Sequence, residues 1–104
     1  MPKIFIDNEK NFLEYRVGSG RTIEIFDIVV GTDRRKGIGT QLIQKLLERI
    51  PDDISLVFAI TRVSNLIAQQ FYEANEFRIV GRLHNFYQDG PEGTESALMY
   101  GLDV

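Results

Sequence analysis

The chain has 104 residues, of which 43% are hydrophobic and 26% are charged, a composition typical of one globular domain with a modest core. Its net charge of -3 argues against a general nucleic-acid-binding protein, which would be basic overall or on one face. The absence of cysteine excludes disulfides, thiolate metal ligands and a cysteine nucleophile, and with one histidine we predict no metal site.

The first residues lack the long apolar run of a signal peptide, and no stretch of the sequence is apolar enough to span a bilayer. We therefore predict a cytoplasmic protein with no membrane partner, organised as one domain over residues 1–104.

The first third of the chain predicts three short strands, over about residues 3–7, 12–17 and 21–30. Turn-forming residues at 7–11 and Gly18-Ser19-Gly20 separate them, and such short connections predict an antiparallel meander.

A helix follows over about residues 37–50, and Pro51 ends it. Its apolar residues recur with the 3.6-residue period: Ile38, Leu42, Ile43, Leu46, Leu47 and Ile50.

The apolar run 54–60 predicts a strand covered on both faces. Ser64 can cap a second helix that runs to about Asn75, and strands at 77–84 and 95–102 enclose a turn at 89–91. The order β-β-β-α-β-α-β-β places helices between strands three and four and between strands four and five. We therefore predict an α/β (α+β) fold with a mixed, mostly antiparallel sheet.

The segment from Arg34 to Gly39 joins a strand to the start of a helix through glycines. Backbone N–H groups and the helix dipole at such a junction form a site suited to phosphate. Arg34, Arg35 and Lys36 add positive charge beside it. An ordinary sharp turn is the alternative, but the strand, the basic residues and the long helix together favour an anion site. The segment matches neither the P-loop motif nor the dinucleotide-binding fingerprint.

The spacing Arg34-x-x-Gly37-x-Gly39 resembles the R/Q-x-x-G-x-G/A motif of the GNAT superfamily of N-acetyltransferases. The strand residues Asp27 to Val30 stand where that family holds the pantetheine arm of coenzyme A. The resemblance covers roughly residues 21 to 100 and implies a GNAT-like acyl-CoA N-acyltransferase fold.

The second helix carries a further resemblance to the family, whose pattern here is N-x-x-A-x-x-x-Y-x-x-x-G-F. The matching residues are Asn65, Ala68, Tyr72 and Phe77. An ordinary amphipathic helix with a surface tyrosine is the alternative. Glu76 stands at the family's glycine, and because Asn75 tolerates a left-handed helix end better than Glu, we expect the helix to end one residue early.

The resemblance implies transfer of an acetyl group from acetyl-CoA, the co-substrate, to a primary amine by direct attack without a covalent enzyme intermediate. It implies that Asn65 contacts the pantetheine arm and that Tyr72 protonates the departing sulfur. The residues expected to bind the coenzyme are Ile28, Val29, Val30, Arg34, Arg35, Lys36, Gly37, Ile38, Gly39, Thr40, Asn65, Phe71 and Tyr72.

Asp27 lies in an otherwise apolar strand, where an unpaired carboxylate would be costly. It is a candidate general base, directly or through water, and a carboxylate held only for structural reasons is an equally weighted alternative. Glu24 is a weaker candidate for the base, and His84 is more typical of a structural or acceptor-site residue than of a catalytic one.

Family members carry a strand and two helices ahead of the matching segment, and these help to wall the acceptor site. We therefore expect an acceptor site that is either open or completed by another subunit, as in a homodimer. The acceptor, a small molecule or a protein amine, cannot be identified from these residues. Two alternatives to an enzyme are a non-catalytic coenzyme A-binding or regulatory domain of the same fold and a phosphate-recognising module unrelated to coenzyme A.

Overall fold

The computed structural model describes residues 2–6, 8–31 and 37–104. In this part of the chain it contains six strands and two helices in the predicted order. Their bounds are β1 Lys3–Ile6, β2 Asn8–Val17, β3 Thr22–Val29, α1 Ile38–Arg49, β4 Leu56–Arg62, α2 Leu66–Ala74, β5 Arg78–Gly90 and β6 Gly93–Asp103.

The strands form a sheet with the order β1-β2-β3-β4-β6-β5. The pairs β1/β2, β2/β3 and β5/β6 are antiparallel. The predicted α+β fold with a mostly antiparallel sheet is therefore confirmed. Backbone contacts divide the chain into two compact units. The first is Met1–Val57 together with Val104, and the second is Phe58–Asp103.

The first unit is the β1-β2-β3 meander with α1 packed against β1 and β2. The helix forms because its apolar residues lie on one side, which is buried, while Gln41, Gln44 and Lys45 face outwards. It ends at Ile50, whose extended backbone is the conformation that a following proline imposes. The buried apolar residues of this unit include Ile4, Leu13, Ile23, Ile25, Leu42, Ile43 and Leu46.

A β-bulge interrupts the pairing of β2 with β3. Glu14 pairs with Asp27, but the next residue, Tyr15, pairs with Ile25, so Phe26 is the extra residue in β3. A bulge shifts the alternation of side chains between the two sides of a strand. After the bulge, the row that Ile23 and Ile25 begin is therefore continued by Ile28, opposite the buried Leu13, and not by Asp27.

The second unit is the long β5-β6 hairpin with α2 and most of β4. A turn joins β4 to α2, and there Val63 N–H donates to the carbonyl of Ser96 on β6. Phe77 and Tyr100 are 3% and 1% exposed and form the centre of its apolar interior with Ala59 and Ala97.

Two predicted turns are wrong in their extent. The strand β2 begins at Asn8 and pairs with β1 from there, so the turn predicted over residues 7–11 is mostly strand. Strand β5 continues to Gly90 and β6 begins at Gly93, so the hairpin turn is Pro91 and Glu92 and shares only Pro91 with the predicted residues 89–91. None of the helices described here is long and apolar enough to cross a membrane.

Candidate functional site

The N-terminus of α1 has the backbone geometry that the sequence predicts. Gly37 is the N-cap residue and has a left-handed backbone, with φ 67° and ψ 26°. Gln41 N–H donates to Gly37 O over 3.0 Å and is the first bond of the helix. The N–H groups of Ile38, Gly39 and Thr40 therefore precede the helical ladder. Among the described residues, no side chain caps this end and no acidic residue lies in the first turn, so the helix dipole favours an anion there.

The side chains at this helix start differ in what they can offer a ligand. Ile38 and Gly39 are buried, so only their backbone groups can contribute, whereas Thr40 is half-buried and brings a hydroxyl. Gly37 is exposed, and a Cβ built on it would meet no atom of the described residues within 4 Å. Its positive φ is the reason that this position favours glycine. Arg34, Arg35 and Lys36, predicted to bind phosphate, lie outside the described residues.

The end of β3 is the second part of the predicted site. Ile28, Val29 and Val30 are half-buried, and Val29 is the last residue of the strand, opposite Phe12 of β2. Beyond it, Gly31 N–H donates to Oδ1 of Asn11 over 2.7 Å. The strand end is thus held to β2 on both sides of Val30.

Asp27 is exposed, so the expected buried carboxylate in β3 is wrong. In a regular strand Asp27 would share the buried side of Ile25, but the bulge at Phe26 shifts it out of that row. Its cross-strand neighbour is Glu14, which forms an ion pair with Lys3 over 3.8 Å. Glu24, the weaker candidate, accepts a hydrogen bond from Arg16 over 2.6 Å.

The N-terminus of α2 is capped by Asn65. The predicted cap, Ser64, is therefore wrong by one residue. Asn65 Oδ1 accepts the N–H of Ala68 over 3.1 Å, the usual bond from an N-cap side chain to the first turn. The side chain is exposed, and its Nδ2 group is the part that remains to donate to a ligand.

Tyr72 lies in an aromatic cluster formed with Phe71, Phe77 and Tyr100. Its ring stacks on that of Tyr100 at a centroid distance of 5.9 Å and an interplanar angle of 24°, and it contacts Phe71 and Phe77 at 5.4 Å and 5.3 Å. Tyr72 is 9% exposed, and Tyr100 O–H donates to Glu73 Oε2 over 3.2 Å. Burial, with the bond to Glu73, raises the pKa of Tyr100. Three ring contacts therefore hold Tyr72 in place.

The C-terminus of α2 is left-handed at Glu76, with φ 70°, and not at Asn75, which has φ -100°. Phe77 N–H donates to Tyr72 O and Glu76 N–H to Glu73 O, the two bonds of a Schellman motif. The helix runs to about Asn75 as predicted, but it does not end one residue early, because the left-handed residue stands at the position of the family's glycine. The expected left-handed residue is wrong, because Glu76 adopts the conformation that glycine would take at lower cost.

Comparison with known proteins shows that the sequence profile of the acetyltransferase (GNAT) family matches residues 4–77. The chain belongs to the GNAT acetyltransferase family. A search of curated proteins gives no significant match to the sequence.

Solved structures show the same GNAT fold. The ribosomal-protein-S18-alanine N-acetyltransferase of Escherichia coli is 25% identical, with a TM-score of 0.74, and the match covers 91% of this chain and 61% of that one. NAA60 of Arabidopsis thaliana, in complex with a bisubstrate analogue, is 26% identical over 80% of this chain and 49% of its own, with a TM-score of 0.68. An acetyltransferase of Bacillus subtilis in complex with CoA is 20% identical, with a TM-score of 0.79, over 98% of this chain and 74% of its own. The chain thus spans about half to two-thirds of the length of the first two GNAT proteins.

A charged cluster in this GNAT chain, formed by Arg62, Tyr87, Asp89 and Glu95, was not predicted from the sequence. The Arg62 guanidinium donates to Asp89 Oδ1 over 2.8 Å and to Glu95 Oε1 over 3.0 Å, and it lies 4.0 Å from the centroid of the Tyr87 ring. The second oxygen of Glu95 accepts Ser64 N–H over 2.9 Å, so the cluster fixes the turn that precedes Asn65.

The charges of this cluster change the acidity of its carboxyl groups. The Ser64 N–H and the Arg62 guanidinium lower the pKa of Glu95, and Arg62 lowers that of Asp89. Burial raises the pKa of Tyr87. The signals in the sequence were an Arg before the capped helix and a Glu near the start of β6.

His84, on β5, is exposed.

Proposed function

We propose that this GNAT chain transfers an acetyl group from acetyl-CoA to a primary amine by direct attack. The observation that carries the proposal is the start of α1, where the left-handed Gly37 and the leading N–H groups form an anion site without a competing cap among the described residues. The family match and the coenzyme bound in related structures support coenzyme A as the anion.

The coenzyme is proposed to bind through three groups of residues. As the resemblance to the family implies, the pyrophosphate binds the backbone N–H groups at the start of α1 and the basic residues before it, and the end of β3 binds the pantetheine arm. The same resemblance assigns Asn65 and Phe71 to coenzyme binding. The proposed set is Ile28, Val29, Val30, Arg34, Arg35, Lys36, Gly37, Ile38, Gly39, Thr40, Asn65, Phe71 and Tyr72.

The amine must lose a proton before it attacks, because an alkylammonium has a pKa of about 10.4. We assign Asp27 as the acceptor of this proton, directly or through water, because its carboxylate is exposed two residues before Val29. A backbone N–H near Val29 or Val30 stabilises the oxyanion of the tetrahedral intermediate. The C–N bond that forms leaves a second proton on nitrogen, which is lost to water as the C–S bond breaks, and Tyr72 protonates the thiolate.

The second candidate function is a coenzyme A-binding domain without turnover. The exposure of Asp27 favours it, because the cost of a carboxylate in an apolar strand was the reason to expect a catalytic role, and an exposed side chain carries no such cost. Both candidates share the coenzyme site and differ only in the acceptor half of the reaction.

Release of free thiol from acetyl-CoA, measured with a panel of small amines and N-terminal peptides, separates the two candidates. We expect turnover with at least one amine class and a lower rate with Asp27→Asn at matched acetyl-CoA occupancy, by about 100-fold if Asp27 is the base. Binding of acetyl-CoA without turnover on any acceptor would support the second candidate instead.

The acceptor site is proposed to be either open or completed by a second copy of the chain. Sedimentation of the protein with and without acetyl-CoA separates these, and a monomer that turns over amines would exclude completion by a second copy. The cytoplasmic location and the single-domain organisation stay predictions from the sequence.

A further inference from the structure

Asn11 is a buried polar residue on β2 that the proposed mechanism does not use. Its side chain is 7% exposed, and its Oδ1 accepts the N–H of Gly31 over 2.7 Å. Gly31 lies two residues beyond the end of β3, so the contact joins β2 to the segment that leaves the sheet.

We propose that Asn11 is a positioning residue for coenzyme A binding, acting through the end of β3. This inference rests on the proposed function, because the backbone groups that it fixes are those proposed to bind the pantetheine arm and the oxyanion.

The backbone ladder between β2 and β3 reaches as far as the pair Phe12 and Val29. Beyond this pair, Gly31 N–H donates to the amide oxygen of Asn11, and Gly31 is half-buried. An N–H group shielded from water is costly to leave without a partner, so this bond favours one position of Gly31. Val30 is consequently held between a paired residue and a tethered one.

Asn11 and Gly31 also fit each other sterically. A Cβ built on Gly31 would lie 3.4 Å from Asn11 Oδ1 and 3.5 Å from Lys10 Cβ, which is van der Waals contact. Gly31 therefore packs directly against the side of β2 that carries Asn11. Positioning, and not contact with the ligand, is the role that this geometry supports.

The experiment compares the dissociation constant of coenzyme A for the wild-type chain, Asn11→Ala and Asn11→Thr. The threonine variant keeps a polar, strand-compatible side chain that is too short to reach Gly31 N–H, so it covers the case in which the alanine variant does not fold. Asn85→Ala is the matched control, because Asn85 Oδ1 also accepts a hydrogen bond, from Thr94, but in the β5-β6 hairpin.

We expect the dissociation constant to rise about fivefold in Asn11→Ala, the factor that one typical hydrogen bond corresponds to. The KM for acetyl-CoA should rise with it while kcat at saturation changes little, and the Gly31 amide should exchange faster with deuterium. Asn85→Ala should lose stability and keep its affinity.

Unchanged affinity in both Asn11 variants, or an equal loss in Asn85→Ala, overturns the positioning role while the proposed function stands. Failure of the wild-type chain to bind coenzyme A is a different result, which overturns the proposed function and this inference with it.

Discussion

Gly37 and Gly20 have nearly the same left-handed backbone, with φ 67° and φ 73°, and in the part of the chain that the structure describes no atom lies within 4 Å of a Cβ built on either. Replacing either by alanine should cost about 1 kcal/mol of unfolding free energy, because L-residues are strained at positive φ. Only Gly37 stands at the proposed anion site, so Gly37→Ala should also weaken coenzyme A binding, while Gly20→Ala should not. Urea unfolding and titration calorimetry measure the two quantities. Equal affinities for the two variants would remove Gly37 from the site.

Glu76 carries a left-handed strain that a glycine would relieve. We expect Glu76→Gly to stabilise the chain by about 0.5–1 kcal/mol, since relief of about 1–2 kcal/mol is partly offset by the greater freedom of glycine in the unfolded state. Glu76→Ala, which keeps the strained backbone, is the control and should give no gain. A loss of stability in the glycine variant would show that the Glu76 side chain itself contributes.

Tyr72 and Tyr100 stack on each other, so deleting each hydroxyl gives a matched pair of variants. Tyr72→Phe should lower kcat about tenfold, less than the usual contribution of a general acid because a thiolate leaves readily. Tyr100→Phe should leave kcat unchanged, because its hydroxyl bonds to Glu73. A fully active Tyr72→Phe enzyme would remove Tyr72 from the proton transfer.

At the scale of elements, the β5-β6 hairpin and the turn into α2 depend on the carboxylate of Glu95. Because its pKa is lowered in the folded chain, Glu95 contributes stability that is present above its unfolded pKa of 4.5 and is lost as the pH falls towards the folded value. Glu95→Gln should therefore lower stability at neutral pH and flatten its decline in acid. Thermal unfolding at a series of pH values from about 7 to 3 measures this, with Glu92→Gln, exposed in the hairpin turn, as the control. An equally steep decline in both variants would contradict the assignment.

The helices show which structural features a local sequence pattern can predict. The stripe of apolar residues predicts α1 to within one residue at either end, because the 3.6-residue period depends only on neighbours in sequence. The two-residue alternation of a strand would place Asp27 on the buried side with Ile25, but the bulge at Phe26 shifts Asp27 out of that row. A bulge arises from the register of two strands and leaves no periodic signal in either one.

At the scale of the whole molecule, the ligand itself is a test. Coenzyme A at 100 times its dissociation constant should raise the unfolding free energy by about 2.7 kcal/mol, since it binds only the folded chain. Calorimetric scans with coenzyme A, acetyl-CoA and inorganic pyrophosphate distinguish a coenzyme site from a general phosphate site. Equal stabilisation by pyrophosphate at the same concentration would favour a phosphate-recognising module.

The sequence by itself determined the order of strands and helices, the glycine at the start of α1 and the family, because these rest on short motifs and local periodicity. Four features were decided only by the tertiary structure. They are the exposure of Asp27, the left-handed backbone of Glu76, the hydrogen bond from Gly31 N–H to Asn11, and the charged cluster around Arg62. Three of these four depend on register or on contacts between residues far apart in the chain. The fourth, Glu76, depends on the backbone that the helix end imposes whatever residue stands there. Strand register and contacts between distant residues arise only when the chain packs, so no local pattern of residues encodes them.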